Sequence, residues 1–562
     1  MKIYQISNAH LSYAKNLKAQ NARANLYNTV PELQNDTVAF KAGLKHNFKF
    51  DIDLAAKVTK SLSTSTSGHR GVFGSEVFNK KIVSLFTLGV ASYAMNKARH
   101  EGHEPTVLIG GDTRKASREC LPMISRILKD YGINVLYAKT PVPTPHHAMA
   151  SRDYNVDLAI LMTASHNPWA DGGFNLVTSA GAIASTEVTQ DVAKEVMNIV
   201  MHGYYYDSPK GKGKVKNIDL YDLYKNNINK YGLIDWNNIK NSGLSVYYDS
   251  LNGTGQYFVP KMLKEFGIKA KTLATSDLVG PNPTSSNLKN LKNEIINSND
   301  NLKIGLANDG DADRFGVVDE KGNFISPNDV ILLVGYHLAK NKGKSGAIIR
   351  SQATSKQLDY LAQMYNVQTI ETPVGFKYIG EDIIELREEG KDILVAGEES
   401  GGLTVNGHIP EKDGIIAISL IMDLVATEKK PISEILKDLK SKMPMNVISD
   451  NYSVRLTDEE AKAKLISKAE NIYENVLNGN IDFGVHKIDA EKTINTKQSM
   501  ENYREGGDGV KFVLTDGSTV LVRKSGTEPL VKFYIESAGK NEAEATKNKD
   551  SIKSYLDSIF TL

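Results

Sequence analysis

The chain has 562 residues, of which 41% are hydrophobic and 24% are charged. These values are ordinary for globular proteins, so wholly disordered and fibrous classes are excluded, and the length indicates several domains. The 68 Lys and Arg residues against 66 Asp and Glu give a formal net charge of +2, which offers no electrostatic reason to expect nucleic acid as a partner.

Cysteine content and apolar runs exclude two further classes. Cys120 is the single cysteine, which rules out an intramolecular disulfide and a cysteine-based zinc site, and we expect it to be partly buried and apolar. The longest uncharged runs, 82–96 and 172–186, are shorter than the roughly 20 residues that span a bilayer. The N-terminal segment lacks the pattern of a signal peptide. We therefore predict a cytoplasmic protein without a membrane partner.

Helical and strand-like segments alternate from residue 82 onward, which is typical of βαβ units with parallel or mixed sheets. Helices are predicted at 82–96, 259–266, 330–338 and the C-terminus, with Pro260 in the first turn of the second. Strands are predicted at 106–109, 134–137, 157–162, 245–248, 268–273, 303–307, 347–350, 367–371, 393–396 and 531–536. A hairpin is predicted at 510–523, turning at Asp516-Gly517.

The fold class indicated by this order is α/β, with three α/β units and one smaller α+β unit. We predict an N-terminal extension at 1–60 that packs on the first domain. The four domains are predicted at 61–217, 218–327, 328–446 and 447–562. The Gly/Lys stretch at 209–216 is interpreted as a solvated turn or linker, because it lacks interleaved aromatic residues.

The segment Asn308-Asp-Gly-Asp-Ala-Asp-Arg314 places carboxylates at alternate positions, on Asp309, Asp311 and Asp313. Three such oxygen ligands suit Mg²⁺ or Ca²⁺. An EF-hand is disfavoured because Arg314 stands where that loop needs glycine and because the flanking segments are strand-like. A solvated acidic turn is also disfavoured, since adjacent carboxylates repel without a cation. The sequence therefore predicts a metal on a loop between two strands.

A second loop, Thr163-Ala-Ser-His-Asn-Pro168, follows a predicted strand directly. Ser165 is thus expected at the carboxyl edge of a sheet, where open α/β sheets bind ligands. A serine hydrolase is disfavoured, because the Gly-x-Ser-x-Gly elbow is absent and the adjacent Ser165 and His166 are poorly placed to act as a pair. On the pattern alone, a reactive serine and an ordinary polar loop remain equally open.

Two more loops have side chains suited to anions or sugars. Arg523-Lys-Ser-Gly-Thr-Glu-Pro529 offers a guanidinium, hydroxyls and backbone N–H groups for a phosphate. Gly397-Glu-Glu-Ser-Gly-Gly402 offers carboxylates and a hydroxyl for sugar hydroxyl groups. Each alone fits an ordinary turn equally well. Gly343-Lys344-Ser345 resembles the end of a P-loop, but Leu338 replaces the earlier glycine, so a nucleoside triphosphatase is rejected.

With the four loops in this order, the chain resembles the α-D-phosphohexomutase family over about residues 62–540. The loops resemble, in chain order, the family's phosphoserine, Mg²⁺, sugar-binding and phosphate-binding loops. Secondary matches are Thr66-Ser-Gly-His-Arg-Gly71, Gly111-Asp-Thr-Arg114 and Thr372-Pro-Val-Gly-Phe-Lys377. The resemblance implies three topologically similar α/β domains plus a C-terminal α+β domain around a central cleft.

The resemblance also implies an activity. A phosphohexomutase interconverts hexose 1-phosphate and hexose 6-phosphate through a phosphoserine and a hexose 1,6-bisphosphate, with one Mg²⁺ per chain. Its partners would be small hexose phosphates, and it would be a monomer or homodimer. The implied catalytic residues are Ser165, His166, Arg70 and Arg314, and the implied metal ligands are Ser165, Asp309, Asp311 and Asp313. The implied substrate-binding residues are Glu398, Ser400, Lys377, Lys412, Arg523, Ser525, Gly526 and Thr527.

One departure from the family pattern concerns proton transfer. Family members usually carry a lysine, a general acid/base candidate, where Asn175 stands here. Lys377, Lys412 and His69 are the alternative proton carriers. A member that binds sugar phosphates without turning them over is the competing class of hypothesis.

Another departure concerns the sugar. Members that accept both glucose and mannose phosphates often carry histidine where Gly402 stands. His408-Ile-Pro-Glu-Lys-Asp-Gly414 resembles phosphoglucomutase-type members. Glucose is therefore favoured, with mannose or both sugars as alternatives and glucosamine phosphate ranked lower.

Overall fold

The structure, a computed structural model, describes residues 52–64, 68–201, 213–276, 279–456, 458–495, 509–524 and 530–560. Within these ranges the strands form four large sheets and one two-stranded ribbon. We call the four segments that carry the large sheets units one to four. The domain boundaries given above stay a prediction, and residues 1–51 of the predicted extension lie outside the described ranges.

Unit one carries a six-stranded sheet. Its helices are α1 (Ile52–Thr64), α2 (Lys80–Glu101), α3 (Lys115–Asp130), α4 (Thr144–Asp153) and α5 (Thr186–Met201). Its strands are β1 (His69–Val72), β2 (Thr106–Gly111), β3 (Asn134–Ala138), β4 (Leu158–Met162), β5 (Asp171–Val177) and β6 (Val215–Ile218), in the spatial order β1-β5-β4-β2-β3-β6. Helix α1 packs against α5, so this part of the extension contacts unit one.

Units two and three carry smaller sheets. Unit two contains α6 (Tyr221–Lys230), α7 (Trp236–Asn241), β7 (Ser245–Asp249), α8 (Gly255–Glu265), β8 (Ala270–Thr272), α9 (Lys289–Asn297), β9 (Lys303–Asn308), β10 (Phe315–Val318) and β11 (Phe324–Ile325). Unit three contains α10 (Pro327–Lys340), β12 (Ala347–Ser351), α11 (Gln357–Tyr365), β13 (Thr369–Thr372), α12 (Phe376–Glu388), β14 (Ile393–Glu398), β15 (Gly402–Val405), α13 (Gly414–Glu428) and α14 (Ile432–Lys440).

Unit four is built differently, around an antiparallel sheet in the order β16-β22-β21-β20-β19. Its elements are β16 (Asn446–Arg455), α15 (Glu459–Leu477), β17 (Asp482–Phe483), β18 (His486–Lys487), β19 (Ile494–Asn495), β20 (Gly509–Val513), β21 (Thr519–Lys524), β22 (Leu530–Gly539) and α16 (Glu542–Phe560). The predicted hairpin is present as β20 and β21, and the predicted C-terminal helix is α16. The α/β class with a C-terminal α+β unit is confirmed.

The first three units repeat one topology. In each, a central strand pairs in parallel with the next two strands of the chain: β2 with β3 and β4, β7 with β8 and β9, and β12 with β13 and β14. The second of those two strands then turns into an antiparallel partner, giving the hairpins β4–β5, β9–β10 and β14–β15. The predicted phosphoserine, metal and sugar loops are the turns of these three hairpins. They therefore occupy equivalent places in three units that show no visible sequence repeat.

Local sequence explains where the helices start and stop. Asn79 caps α2 by accepting hydrogen bonds from the N–H groups of Lys81 and Ile82, and Gly102 ends the helix with a left-handed φ of 78°. Ser326 caps α10, and Asp413 caps α13, in the same way. No described helix has both the length and the apolar composition needed to cross a membrane.

A continuous apolar core joins the first three units. It includes Ala148 of α4, Val246 of β7 and Ile418 of α13, all fully buried or nearly so. Unit four has a separate core, with Phe512 and Phe533 fully buried. Because units one to three share a core, their hairpin turns are held in a fixed relation, whereas unit four contacts them mainly through polar groups.

Four local expectations were wrong. The predicted turn or linker at 209–216 is contradicted at Val215 and Lys216, which belong to the parallel edge strand β6, where exposed residues are tolerated; residues 209–212 lie outside the described ranges. Helix α8 begins before the predicted 259–266, so Pro260 lies inside it rather than in its first turn. Strand β8 covers less than the predicted 268–273. Cys120 is fully rather than partly buried, and burial raises the pKa of its thiol to about 11.

Candidate active site

The turn of the β4–β5 hairpin meets the turn of the β9–β10 hairpin. The hydroxyl of Ser165 donates a hydrogen bond to Asp309 Oδ2 at 2.9 Å, and the serine is almost completely buried. Thr163 and Thr144 donate their hydroxyls to Asp311 Oδ2 at 3.1 and 2.8 Å. The predicted serine and metal loops are thus in direct contact across two units.

This close approach depends on one glycine. A Cβ atom at Gly310 would lie 2.7 Å from the carbonyl oxygen of Ser165 and 2.9 Å from Arg114 Nη1. Any larger residue there would push the two loops apart. Ser165 itself has a φ of 49°, a left-handed conformation that is uncommon outside glycine and aims its side chain toward the aspartates.

Arg114 holds the serine loop in place through hydrogen bonds to the loop backbone. Its Nη2 donates to the carbonyl oxygens of Ser165 and Asn167 at 2.7 and 2.5 Å, while Nη1 pairs with Asp112 at 2.6 Å. Trp169 covers the guanidinium, with 4.9 Å between Cζ and the ring centroid. Sequence reasoning quoted Arg114 only within a secondary motif and gave it no role. Its position just after β2, at the edge where ligands bind, was the available signal.

We expect Arg114→Met to destabilise unit one by about 3 kcal/mol, because it leaves the Asp112 carboxylate buried without its cation. The thermal midpoint should fall by roughly 6–12 °C. Differential scanning calorimetry of the full chain checks this. Arg126→Met, which removes an arginine that has no ion pair in the described structure, is the matched control, and an equal fall in both variants would contradict the assignment.

The three aspartates form a compact buried group. Their nearest carboxylate oxygens all lie within 4.8 Å of one another. Burial and mutual repulsion raise the pKa of Asp309 well above its usual value and that of Asp311 to about 6. Asp311 Oδ1 and Asp313 Oδ1 make no hydrogen bond with any described residue. Such orphaned oxygens fit a hard divalent cation, so this group can hold a metal.

Positive charge surrounds the serine. The cations of Arg314, Arg70, Lys532 and Arg114, together with burial, hold the pKa of His166 well below its usual value, with Arg314 the largest contributor. His166 Nδ1 lies 3.4 Å from Ser165 Oγ. His166 is therefore neutral at physiological pH, and the arginines carry the charge that an anion at Ser165 would meet.

The third hairpin turn joins the same cleft. The backbone of Arg314 pairs with Gly402, and its Nη1 donates to the carbonyl oxygen of Ser400 at 3.3 Å. The buried hydroxyl of Ser400 makes no hydrogen bond among the described residues. Glu398 accepts from the N–H of Gly375 at 2.7 Å, and burial raises its pKa to about 7. The hydroxyl of Ser400 and the carboxyl group of Glu398 are thus the two groups of the predicted sugar loop that are available to a ligand.

Lys412 connects the sugar loop to the metal loop. Its Nζ lies 3.2 Å from Asp313 Oδ2 and 2.6 Å from Glu411 Oε1. A Cβ atom at Gly402 would lie 2.3 Å from Lys412 Cδ. A side chain at position 402 would therefore displace Lys412 from its present path beside the loop.

Unit four contributes Arg523, on β21. The half-buried Tyr534 lies beside it: partial burial and Glu399 raise the pKa of this tyrosine, and Arg523 lowers it. The Arg523 end of β21 is thus next to the 397–402 loop. Ser525, Gly526 and Thr527 of the predicted phosphate loop lie outside the described residues.

Comparison with known proteins agrees with this geometry. Models of the phosphoglucomutase/phosphomannomutase family match residues 61–201 as alpha/beta/alpha domain I, 222–322 as domain II, 326–443 as domain III and 454–551 as the C-terminal domain. The chain belongs to the phosphoglucomutase/phosphomannomutase family. The resemblance inferred from the four loops is confirmed.

Individual members of this family are distant relatives of the chain. Phosphoglucomutase of Staphylococcus aureus is 27% identical over 523 residues, which cover 86% of this chain and 91% of that protein. Phosphoglucosamine mutase of Carboxydothermus hydrogenoformans is 26% identical, covering 84% and 94%. The structure of Paramecium parafusin, a phosphoglucomutase, superimposes with a TM-score of 0.69 at 23% identity, covering 85% and 91%, and supports the fold.

Asn175, whose side-chain amide is fixed by hydrogen bonds, stands where members of the family usually carry a lysine. Asn175 Nδ2 donates to the carbonyl oxygens of Thr163 and Leu161 at 2.8 and 3.3 Å, so Asn175 braces the serine loop and carries no exchangeable acidic proton. His69 is stacked on Phe78, with Nε2 2.7 Å from the carbonyl oxygen of Val77.

Of the other two alternatives, only Lys412 lies beside the aspartates. The Nζ of Lys377 donates to Thr186 Oγ1 at 2.9 Å, across the boundary between units one and three. Thr144 and Tyr534 were missed by sequence reasoning, because an isolated threonine or a tyrosine within a strand gives no local signal, and Thr163 was quoted only as the first residue of the serine loop.

Proposed function

We propose that this member of the family is a phosphohexomutase, an isomerase that interconverts hexose 1-phosphate and hexose 6-phosphate. The contact between Ser165 Oγ and Asp309 carries the proposal, because it places a hydroxyl nucleophile beside a candidate metal site. The nearby arginines add positive charge around the same serine. The names of the relatives, which act on phosphates of glucose, mannose or glucosamine, support the same reaction class.

The chemistry assigns each group a part. Phosphorylated Ser165 gives its phosphoryl group to the free hydroxyl of a hexose monophosphate: the serine Oγ–P bond breaks, the sugar O–P bond forms, and the proton lost by the sugar hydroxyl is balanced by protonation of the released serine oxygen. The hexose 1,6-bisphosphate turns over in the cleft and returns its other phosphoryl group to Ser165. Arg70 and Arg314 offset the negative charge, and His166 lies beside the serine oxygen.

Asp309, Asp311 and Asp313, with an oxygen on Ser165, are the proposed Mg²⁺ ligands. The ion, one per chain, would neutralise charge on the transferring phosphoryl group. The chain's own contribution is to keep the triad rigid, through the threonine hydroxyls on Asp311 and through Lys412 on Asp313.

The sugar is proposed to lie against the third hairpin turn. Glu398 and the free hydroxyl of Ser400 can hold sugar hydroxyl groups, with Lys377 and Lys412 at its edges. Glucose is the proposed substrate, because Gly402 stands where members that accept both glucose and mannose phosphates often carry histidine, and because His408-Ile-Pro-Glu-Lys-Asp-Gly414 resembles phosphoglucomutase-type members. Parallel assays with the 1-phosphates of glucose, mannose and glucosamine test this, and a higher kcat/KM for mannose or glucosamine would contradict it.

Arg523→Ala is expected to raise KM for the 1-phosphate and the 6-phosphate about 10–100-fold and to lower kcat. The sugar must be held in two opposite orientations, one for each half-reaction. In each orientation the guanidinium of Arg523 can bind the non-reacting phosphate with two hydrogen bonds. Steady-state kinetics in both directions measure the effect. Lys487→Ala, an exposed cation elsewhere on unit four, is the control, and a defect in one direction alone would contradict the shared cradle.

A further inference from the structure

A second group of metal-type side chains lies at the opposite edge of the unit one sheet. Glu101 is the last residue of α2, His103 follows two residues later, and Asp157 immediately precedes β4. One ligand atom from each lies within 4.8 Å of the others. We infer that these three residues bind a divalent transition-metal cation of the zinc class.

Asp157 supplies a buried oxygen in need of a partner. The residue is only 3% exposed, and its Oδ2 accepts a hydrogen bond from the N–H of Thr106 at 2.8 Å. Its Oδ1 makes no hydrogen bond with any described residue and faces His103 Nε2 at 3.4 Å. A buried carboxylate oxygen is costly to leave unsatisfied, so something positive is expected beside it.

His103 is oriented as a metal ligand. Its Nδ1 lies 3.1 Å from the carbonyl oxygen of Glu104, which can only accept, so Nδ1 carries a proton. Its Nε2 then points at Glu101 Oε2, 3.1 Å away, as well as at Asp157. A backbone carbonyl on the far ring nitrogen is the usual way in which a protein fixes a ligating histidine. The left-handed φ of Gly102 turns the chain so that residues 101 and 103 face the same point.

Two of the three donor separations are close to those found around a small cation. Two donors at about 2.0–2.2 Å from a tetrahedral Zn²⁺ lie roughly 3.3–3.6 Å apart. The observed separations from His103 Nε2 are 3.1 and 3.4 Å. Three protein ligands leave the remaining position to water. Zinc accepts both imidazole and carboxylate ligands, whereas Mg²⁺ prefers oxygen ligands throughout.

A proton on His103 would compete with a metal ion for the position between the two carboxylates. Protonated His103 would bridge the two carboxylates, and hydrogen bonds to Glu104 and Glu101 already raise its pKa. Burial raises the pKa of Asp157. Lys97 also approaches, with its Nζ 3.3 Å from the carbonyl oxygen of Asp157. The experiment must therefore separate metal binding from a simple ion pair.

The site would clamp the end of α2 to the start of β4. The far end of β4 leads into the Ser165 loop, and its five residues span roughly 17 Å at about 3.3 Å per residue. The cation is thus a cross-link at the edge of the sheet away from the aspartate triad, and its binding does not depend on the proposed reaction.

Co²⁺ binding to the full metal-stripped chain tests the inference. We expect visible absorption typical of tetrahedral nitrogen–oxygen coordination, displaced by one equivalent of Zn²⁺, and an affinity at least tenfold lower in His103→Gln. His103 is exposed, so this variant should fold. His100→Gln, one residue before Glu101 and outside the cluster, should bind as the parent does. Asp309→Asn should retain the spectrum, which separates this site from the triad.

Two results would overturn the inference. One is equal Co²⁺ and Zn²⁺ affinity in the parent and in His103→Gln. The other is no binding beyond the triad in the parent, with the His103 ring titrating by NMR as a protonated partner of the carboxylates. A Zn²⁺-dependent rise in thermal midpoint that is lost in His103→Gln would support the cross-link, since only the folded chain assembles the three ligands.

Discussion

Replacing Ser165 by alanine is expected to lower hexose phosphate turnover by a factor on the order of 10⁴ or more. Ser165 Oγ is the nucleophile that touches the aspartate group, and the alanine side chain offers no oxygen for the phosphoryl group. Coupled assays of kcat measure the loss. Intact mass should show one transferable phosphate on the parent after incubation with glucose 1,6-bisphosphate, and none on Ser165→Ala.

Ser285→Ala is the matched control, because Ser285 is an exposed serine of unit two whose hydroxyl accepts a hydrogen bond from Lys292. It should keep both activity and phosphate uptake. Near-normal turnover in Ser165→Ala, or a transferable phosphate localised to another residue, would sink the assignment of the nucleophile.

Asp311→Asn is expected to lower kcat by roughly 10³-fold and to abolish saturable Mg²⁺ dependence. The amide oxygen can still accept from Thr144 and Thr163, so local geometry is kept while the orphaned, charged Oδ1 is lost. Turnover at increasing Mg²⁺ concentration and calorimetric Mg²⁺ binding measure the two effects.

Stability separates this loss from misfolding. Three adjacent buried carboxylates repel in the absence of a cation, so the metal-free Asp311→Asn chain should melt no lower than the metal-free parent. Asp191→Asn, on the exposed face of α5, is the control and should leave Mg²⁺ dependence intact. Unchanged Mg²⁺ dependence in Asp311→Asn would contradict the triad as the metal site.

Much of the fold could be predicted from sequence because its signals are local. The apolar run of β4 and the alternating hairpin of β20 and β21 are legible in adjacent residues, and both formed as expected. The predicted bounds were less accurate for helices and strands whose ends depend on contacts with neighbouring elements. The start of edge strand β6 follows a Gly/Lys stretch that resembles a linker, and it is a strand because β3 offers it a free edge.

In the candidate site, too, the local patterns could be predicted from the sequence and the long-range contacts could not. The sequence by itself determined the Asp309–Asp313 spacing, the serine at a strand end and the order of the loops, because each is a short-range pattern. Only the tertiary structure decided that Ser165 meets Asp309, 144 positions away, that Gly310 permits this approach, and that Arg114 and Asn175 brace the loop. These contacts arise where three sheets pack on one shared core, and the packing of distant segments leaves no trace in the spacing of neighbouring residues.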